Sequence, residues 1–316
     1  MKNLIRIGSR ESALAIAQTR IVMDAIARSH PELKLELVTM KTLGDLKPNL
    51  ALENTGNGKA IFTGALEDAL ARNEVDLCVH SLKDMAADTP KDLPIVALAK
   101  RGDPRDCLIL PKDEPFEGFE NLNRNYANQH NGKVPPPAGC SSLRRQIQFR
   151  ALASAPDFSP IRGNVPTRIN KLDSGQYGLL ILAAAGLERL GLLPRAAYIF
   201  PVEKMIPAAG QGVLAVQGRK DDEYSFLKDI NDPVTAEEAL AERAFIKAAG
   251  GGCGSPAAAY ARITGSEIHI QALLAAHSEI KPGAAFFRDE ISGPREESQK
   301  LAEELASRLL KIAGHA

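Results

Sequence analysis

The first forty residues alternate in a way that narrows the folds open to this chain. "NLIRIGS" is an apolar run of strand length, and "ESALAIAQTRIVMDAIARSH" then places Leu14, Ala17, Ile21 and Ala25 at helical spacing. Pro31 ends that helix, and "LKLELVTM" alternates as a strand does. Strand, helix, strand in this order is a β-α-β unit, which needs a parallel sheet with a crossover helix. The pattern recurs. A helix at "IFTGALEDALARN" precedes strands at "VDLCVHS" and "LPIVALA". After a polar, proline-containing break at "KRGDPRD" (100–106), helices at "SSLRRQIQFRALASA" and "NVPTRINKLDSG" precede a strand at "YGLLILAAA". The stretch "NLNRNYANQHNGKVPPPAG" is poor in apolar residues and reads as an exposed loop with a polyproline end.

The style changes at about Asp232. A helix at "PVTAEEALAERAFIKAAG" leads into "GGGCGSP", then three alternating strands and an amphipathic C-terminal helix follow. That is a small α+β domain with an antiparallel sheet. Just before it, "MIPAAGQGVLAVQGR" is apolar with a glycine corner and suits a strand crossing back into the first unit.

At 316 residues the chain is long enough for two or three domains. Lys+Arg and Asp+Glu both number 39, a balance that speaks against a general nucleic-acid binder. No apolar run reaches the about 18 residues of a membrane span. Arg6, Arg10 and Glu11 stand where a signal peptide needs its apolar region. The four cysteines are widely spaced with no C-x-x-C pair, which fits a reducing compartment and no cysteine zinc site. The expected location is the cytoplasm, with no metal.

Basic residues gather where strands hand over to helices. Arg6 and Arg10 flank the first such turn, Lys83 and Asp84 follow the strand in "VHSLKDM", and Arg144 and Arg145 open a helix in "GCSSLRR". Arg162 and Arg168 do the same in "IRGNVPTR". Carboxyl ends of strands face the ligand crevice in α/β folds, and arginine forks match carboxylate or phosphate oxygens in pairs. The pattern points to a small polyanionic ligand, held by side chains expected at loops outside the cores. Asp84 suits either a helix cap or an ion pair with Lys83. His80 is expected to point into packing, and Cys78 and Cys107 to be buried fillers. Cys140 opens a turn. Cys253, set among glycines, is the outlier, suited to a turn or to covalent attachment.

Eight blocks in order, "RIGSRESALA", "VHSLKD", "DPRD", "SSLRRQ", "RGNVPTRINKLDSGQY", "AAAGLERLGL", "AAGQGVLA" and "GGGCGSP", resemble the hydroxymethylbilane synthase (porphobilinogen deaminase) family. The resemblance implies an α/β fold with two lobes like those of bilobal solute-binding proteins and a third, α+β domain. The implied division is 1–103 with 207–230, then 104–206, then 231–316. It implies head-to-tail condensation of four porphobilinogen molecules, with loss of ammonia, on a dipyrromethane cofactor. Cys253 matches the cysteine that tethers the cofactor, and Asp84 the catalytic aspartate. Lys83, Arg144, Arg145, Arg168 and Ser142 are the implied cofactor ligands, with Asp84. Arg10, Ser12, Arg162, Arg189, Phe62 and Lys59 are the implied substrate contacts. A monomer without nucleic-acid or membrane partners is implied as well. The chain departs from the family at Cys140, where threonine is usual, at Gly64, often lysine, and in a longer loop at 120–137. The rival reading is a cytoplasmic anion-binding module on the same bilobal scaffold, without chemistry.

Overall fold

β1 (Leu4–Arg10), α1 (Ala13–Ser29) and β2 (Lys34–Met40) form the expected unit, with the strands parallel from Leu4↔Lys34 to Arg10↔Met40. The computed structural model describes residues 3–42, 60–128, 135–153, 157–251, 256–275 and 285–314. Ser12 caps α1, its Oγ accepting from Ala15 N at 3.3 Å. The buried side of α1 is offset from the one the spacing suggests. Gln18, Thr19, Val22 and Ile26 face inward, while Ile21 is exposed. Gln18 belongs inside because its Nε2 donates to Ser81 Oγ at 2.9 Å, a partner that helical periodicity does not reveal.

The first sheet runs β2-β1-β3-β10-β4, with β3 (Leu77–Ser81), β4 (Ile95–Leu98) and β10 (Leu214–Gln217). α2 (Ala60–Ala71) leads into β3. β10 lies antiparallel between β3 and β4, so the "GQGVLAV" segment does cross back. The second sheet runs β7-β6-β8-β5-β9. Its strands are β5 (Asp106–Ile109), β6 (Ala138–Gly139), β7 (Phe158–Ser159), β8 (Leu179–Ala183) and β9 (Tyr198–Ile199). β5 is antiparallel to both β8 and β9. Both sheets therefore share one plan. Each takes its antiparallel inner strand from chain that has just crossed over from the other.

The polar stretch after residue 120 departs from its expected loop form. Its first part is a helix, α3 (Phe119–Asn128). Phe119 stacks on Phe200 at 6.1 Å and meets Tyr198 edge-on at 5.4 Å, and Leu122 is buried beneath it. Two apolar anchors pin a helix that is otherwise mostly polar. In the same lobe α4 (Leu143–Arg150) is shorter than its apolar pattern suggests, and α5 (Val165–Asp173) is capped by Asn164 Oδ1. α6 (Ala184–Glu188) follows β8 directly.

The C-terminal unit holds α7 (Pro233–Ala248), β11 (Ala257–Thr264), β12 (Glu267–Ala275), β13 (Phe286–Pro294) and α8 (Ser298–Ile312). Its sheet is antiparallel in the order β11-β12-β13, and Phe245, Ile268, Ile270, Leu305 and Leu309 fill its core. Glu242 of α7 is fully buried and reaches both crossings. Its Oε1 accepts from Arg101 Nη2 at 2.8 Å and from Ala261 N at 2.9 Å, and its Oε2 from Gly210 N at 2.6 Å. The crossings also touch each other, Gly102 N donating to Gly212 O at 3.2 Å. Gly212 has φ +87, and a Cβ there would stand 2.7 Å from Gly102 O. Glu242→Ala would leave the Arg101 guanidinium buried without its closest carboxylate. It should lower the unfolding free energy by about 3–5 kcal/mol, read as a lower urea midpoint.

Candidate active site

β3 ends at Ser81, and a single 3-10 turn, Leu82–Asp84, carries the chain out of the sheet. Leu82 is buried and its N–H donates to Val213 O at 3.0 Å, so the turn is pinned to the returning chain. Lys83 and Asp84 project from it, half-buried. Lys83 Nζ donates to Gln211 Oε1 at 3.2 Å. Gln211 Nε2 in turn donates to Pro104 O at 2.6 Å and to Asp106 Oδ1 at 2.9 Å. Gln211 thus spans from the first sheet to the start of β5 in the second.

Asp106 is fully buried between two arginines. Arg144 Nη1 donates to its Oδ2 at 2.7 Å, and Arg145 Nε and Nη2 donate to its Oδ1 at 2.9 and 2.7 Å. Arg144 Nη1 also reaches Ile206 O, and Arg145 Nη1 reaches Ile181 O. Burial opposes ionisation of Asp106, but Arg144 and Arg145 outweigh it and hold its carboxyl well below the usual range. Arg144 and Arg145 are only 4% and 9% exposed, which corrects the expectation that these side chains lie outside the cores. The reason is Asp106, a carboxylate supplied from far along the chain that lets two guanidinium groups be buried.

Burial, and then the repulsion of Arg145, bring the Lys83 ammonium down to about 8, against the pull of Asp84 and Asp106. Arg168 is half-buried at the start of α5, its Nε donating to Gly163 O at 2.7 Å. Burial lowers its pKa, Arg145 and Arg162 add to the effect, and Asp84 opposes it. These couplings join Lys83, Asp84, Arg144, Arg145, Arg162 and Arg168 into one electrostatic group spanning both sheets. The charge of Asp84 is felt by Lys83 and Arg168, yet among the described residues no hydrogen bond or ion pair closes on its carboxylate. It neither caps a helix nor pairs with Lys83. Ser142, at the N-cap of α4, makes no side-chain cap bond, so its hydroxyl remains available to a ligand.

Other expected site residues have partners outside this group. Arg189 donates from Nη2 to Gly212 O at 2.6 Å and so grips the crossing. Ser12 is occupied as the cap of α1, and half-buried Arg10 stands at the end of β1, acting on His80. Lys59, Cys253 and the side chain of Phe62 lie outside the described residues. The chain on either side of Cys253 is anchored: Gly251 N donates to Ile246 O at 2.8 Å, and Ala275 N to Pro256 O at 3.1 Å. Cys78, Cys107 and Cys140 are buried, and burial pushes their thiols up, Cys107 to about 12, so none is a ready thiolate. Sequence reasoning missed Asp106, Gln211, Arg101 and Glu242. For Asp106 a signal existed: an acid opening the apolar strand "DCLIL" needs a buried cation.

Two family models match the chain. One, described as porphobilinogen deaminase, dipyromethane cofactor binding domain, covers residues 5–226, and the other, porphobilinogen deaminase, C-terminal domain, covers 236–311. A porphobilinogen deaminase of Ruminiclostridium cellulolyticum is 43% identical over 305 residues, 96% of this chain and 97% of that one. That of Acetivibrio thermocellus is 42% identical over 309 residues, 98% and 99% of the two chains. Among solved structures, the effector binding domain of BenM with benzoate aligns with a TM-score of 0.41 at 13% identity, covering 72% of this chain and 88% of that one. That likeness is too loose to bear on what this chain does.

Arg144 and Arg168 should respond differently to truncation. Arg144→Leu leaves Asp106 half-paired in the core and should cost about 3 kcal/mol of stability, seen as a lower melting temperature. Arg168→Leu breaks no ion pair and should leave melting nearly unchanged. A pH dependence also follows from His80, which burial and then Arg10 hold down to about 4 against a contact with Gln217. Its native ring stays neutral while the unfolded chain takes up a proton below about 6.5. Stability should thus be full above that pH and fall by up to about 3 kcal/mol as pH drops towards 4. Urea titrations of His80→Gln should show a flatter profile over that range.

Proposed function

The chain belongs to the porphobilinogen deaminase family, and from that premise we propose how its own residues carry out the family's reaction. It is a hydroxymethylbilane synthase. Four porphobilinogen molecules are condensed head to tail with loss of ammonia, and linear hydroxymethylbilane is released. The observation that carries the residue assignment is the charge imbalance where the sheets meet. Lys83, Arg144, Arg145, Arg162 and Arg168 act on one another there, with Asp84 and Asp106 as the carboxylates among them. Asp106 is consumed by its arginines. The remaining positive charge is partly desolvated and suits a ligand that brings its own carboxylates.

Dipyrromethane fits that donor set, since each of its rings carries an acetate and a propionate. When bound, it supplies the primer on which the polypyrrole chain grows. Cys253 would hold it through a thioether, with Lys83, Arg168 and the free hydroxyl of Ser142 as ligands. Arg144 and Arg145 complete the set, each with N–H groups beyond those given to Asp106. Arg10, Ser12, Arg162, Arg189, Lys59 and Phe62 are assigned to the incoming substrate. Asp84 stands closest in role to the chemistry. A carboxylate with no hydrogen-bond or ion-pair partner among the described residues stabilises positive charge on pyrrole nitrogens and assists departure of ammonia. The ammonium of Lys83 holds ligand carboxylates at neutral pH and loses that charge as pH rises through about 8.

Sheet membership supports dividing the chain into 1–103 with 207–230, 104–206 and 231–316, and the charged group draws its residues from the first two of these. We assign the enzyme to the cytoplasm as a monomer, without nucleic-acid or membrane partners. The charge balance supports this, and no helix among the described residues is long and apolar enough to cross a membrane. An anion-binding module on the same scaffold would leave Asp84 without a task.

Intact-mass measurement tests the tether. The purified protein should carry an adduct of two pyrroles, Cys253→Ala should lack it, and Cys140→Thr should keep it. An active wild type showing the bare polypeptide mass overturns the assignment. For the chemistry, Asp84→Asn should slow single-turnover ammonia release by about 10²–10⁴-fold while still folding. Asp84→Glu should keep more of the rate. Arg168→Leu should impair cofactor assembly or elongation by about ten- to a hundredfold, from the loss of one charge-assisted contact.

A further inference from the structure

α7 runs towards the loop that holds Cys253, and on the way it grips the chain leaving the Asp84 turn. Arg243 Nη2 donates to Ala86 O at 2.6 Å and to Ala87 O at 2.7 Å. One helical turn later, Lys247 Nζ meets Asp88 Oδ1 at 2.7 Å, although both of those side chains are largely exposed. Three consecutive residues just beyond Asp84 are thus held from the cysteine-bearing unit. Ahead of them the turn is fixed by its own lobe: Met85 N donates to Leu82 O at 3.0 Å, and Met85 is buried. Residues 86–89 make no backbone–backbone hydrogen bonds among the described residues. Arg243 therefore supplies what a sheet or helix supplies elsewhere.

The choice of partner is informative. A guanidinium in a sheltered place usually sits against a carboxylate. Arg243 is half-buried, and burial lowers its pKa with only the distant pull of Asp88 in opposition. Yet its short contacts are two neutral carbonyls. Such an arrangement fixes a backbone path more than it neutralises charge.

We propose that Arg243 is a positioning residue that sets the backbone after Asp84 and so couples the cofactor-bearing unit to the carboxylate the cofactor must meet. The proposal rests on the reading of Asp84 as the group beside the reacting pyrroles. Loss of the grip leaves the carboxylate present but misplaced, and displacements of that kind cost about ten- to a hundredfold in rate. The binding arginines are untouched, so KM should hold while kcat falls.

The test uses the full-length protein with Arg243→Gln and Arg243→Lys. Before substrate is added, exchange of the Met85 amide hydrogen, bonded to Leu82 O at the start of the gripped stretch, should be faster in Arg243→Gln than in wild type, with Arg243→Lys between them. With the adduct confirmed by mass, Arg243→Gln should release ammonia about ten- to a hundredfold more slowly in a single turnover. In an Asp84→Asn background the same change should add little further loss, because it acts through Asp84. Wild-type exchange and rate in Arg243→Gln overturn the proposal, as does a loss that multiplies with that of Asp84→Asn. If Arg243→Gln does not fold, wild-type exchange and rate in Arg243→Lys overturn it equally. If Asp84→Asn alone releases ammonia like wild type, the reading of Asp84 fails instead, a result that exchange at Met85 does not affect.

Discussion

Asp106 lies fully buried at the point where the chain leaves the first sheet for the second, and its charge is held by Arg144, Arg145 and Gln211 together. Each partner belongs to a different stretch. The arginines open α4, and Gln211 sits on the chain returning to the first sheet. Removing one partner would leave a buried charge short of its hydrogen bonds, so the three segments have one favourable arrangement relative to each other. Because Gln211 also accepts from Lys83, the same network sets one wall of the site. The structural ion cluster and the cations proposed to bind ligand are physically continuous.

Glu242 repeats that logic from the third unit. It takes hydrogen bonds from Arg101 on the outward crossing, Gly210 on the return crossing and Ala261 on its own sheet. Two buried carboxylates thus tie three units at the two crossings. The close approach of the crossings leaves no room for a Cβ at Gly212. Apolar clusters also bridge the units: Ala239 of α7 shares one with Leu82, Met85 and Val213, and Ile147 and Ile206 share another with Ala258, Leu273 and Ala275 of the C-terminal sheet. The buried ion pairs fix how these seams meet, because a charge tolerates less misplacement than an apolar contact.

Burial also separates the chemical roles of similar residues. Three cysteines are enclosed and unreactive, while Asp84, unlike Asp106, has no cation closing on it among the described residues. Arg144 and Arg145 are paired with a buried carboxylate, whereas Arg168 donates, among the described residues, to the local carbonyl of Gly163. The environment divides one residue type into frame and function.

The order of elements was legible in the sequence, because apolar periodicity reports local structure and a β-α-β unit admits few topologies. The family was legible as well, through blocks such as "VHSLKD" and "SSLRRQ", which carry the proposed site residues Asp84, Arg144 and Arg145. Periodicity reads which face is apolar but misses inward polar residues, hence the offset buried face of α1 around Gln18. It also misreads a polar helix held by two side chains, as at Phe119 and Leu122. What only the tertiary structure decided is pairing across distance. Asp106 with Arg144 and Arg145, Arg101 with Glu242, and Arg243 with the carbonyls after Asp84 are contacts between residues far apart in the chain. No local pattern encodes them, because a buried charge carries no mark of its partner until folding brings the two together.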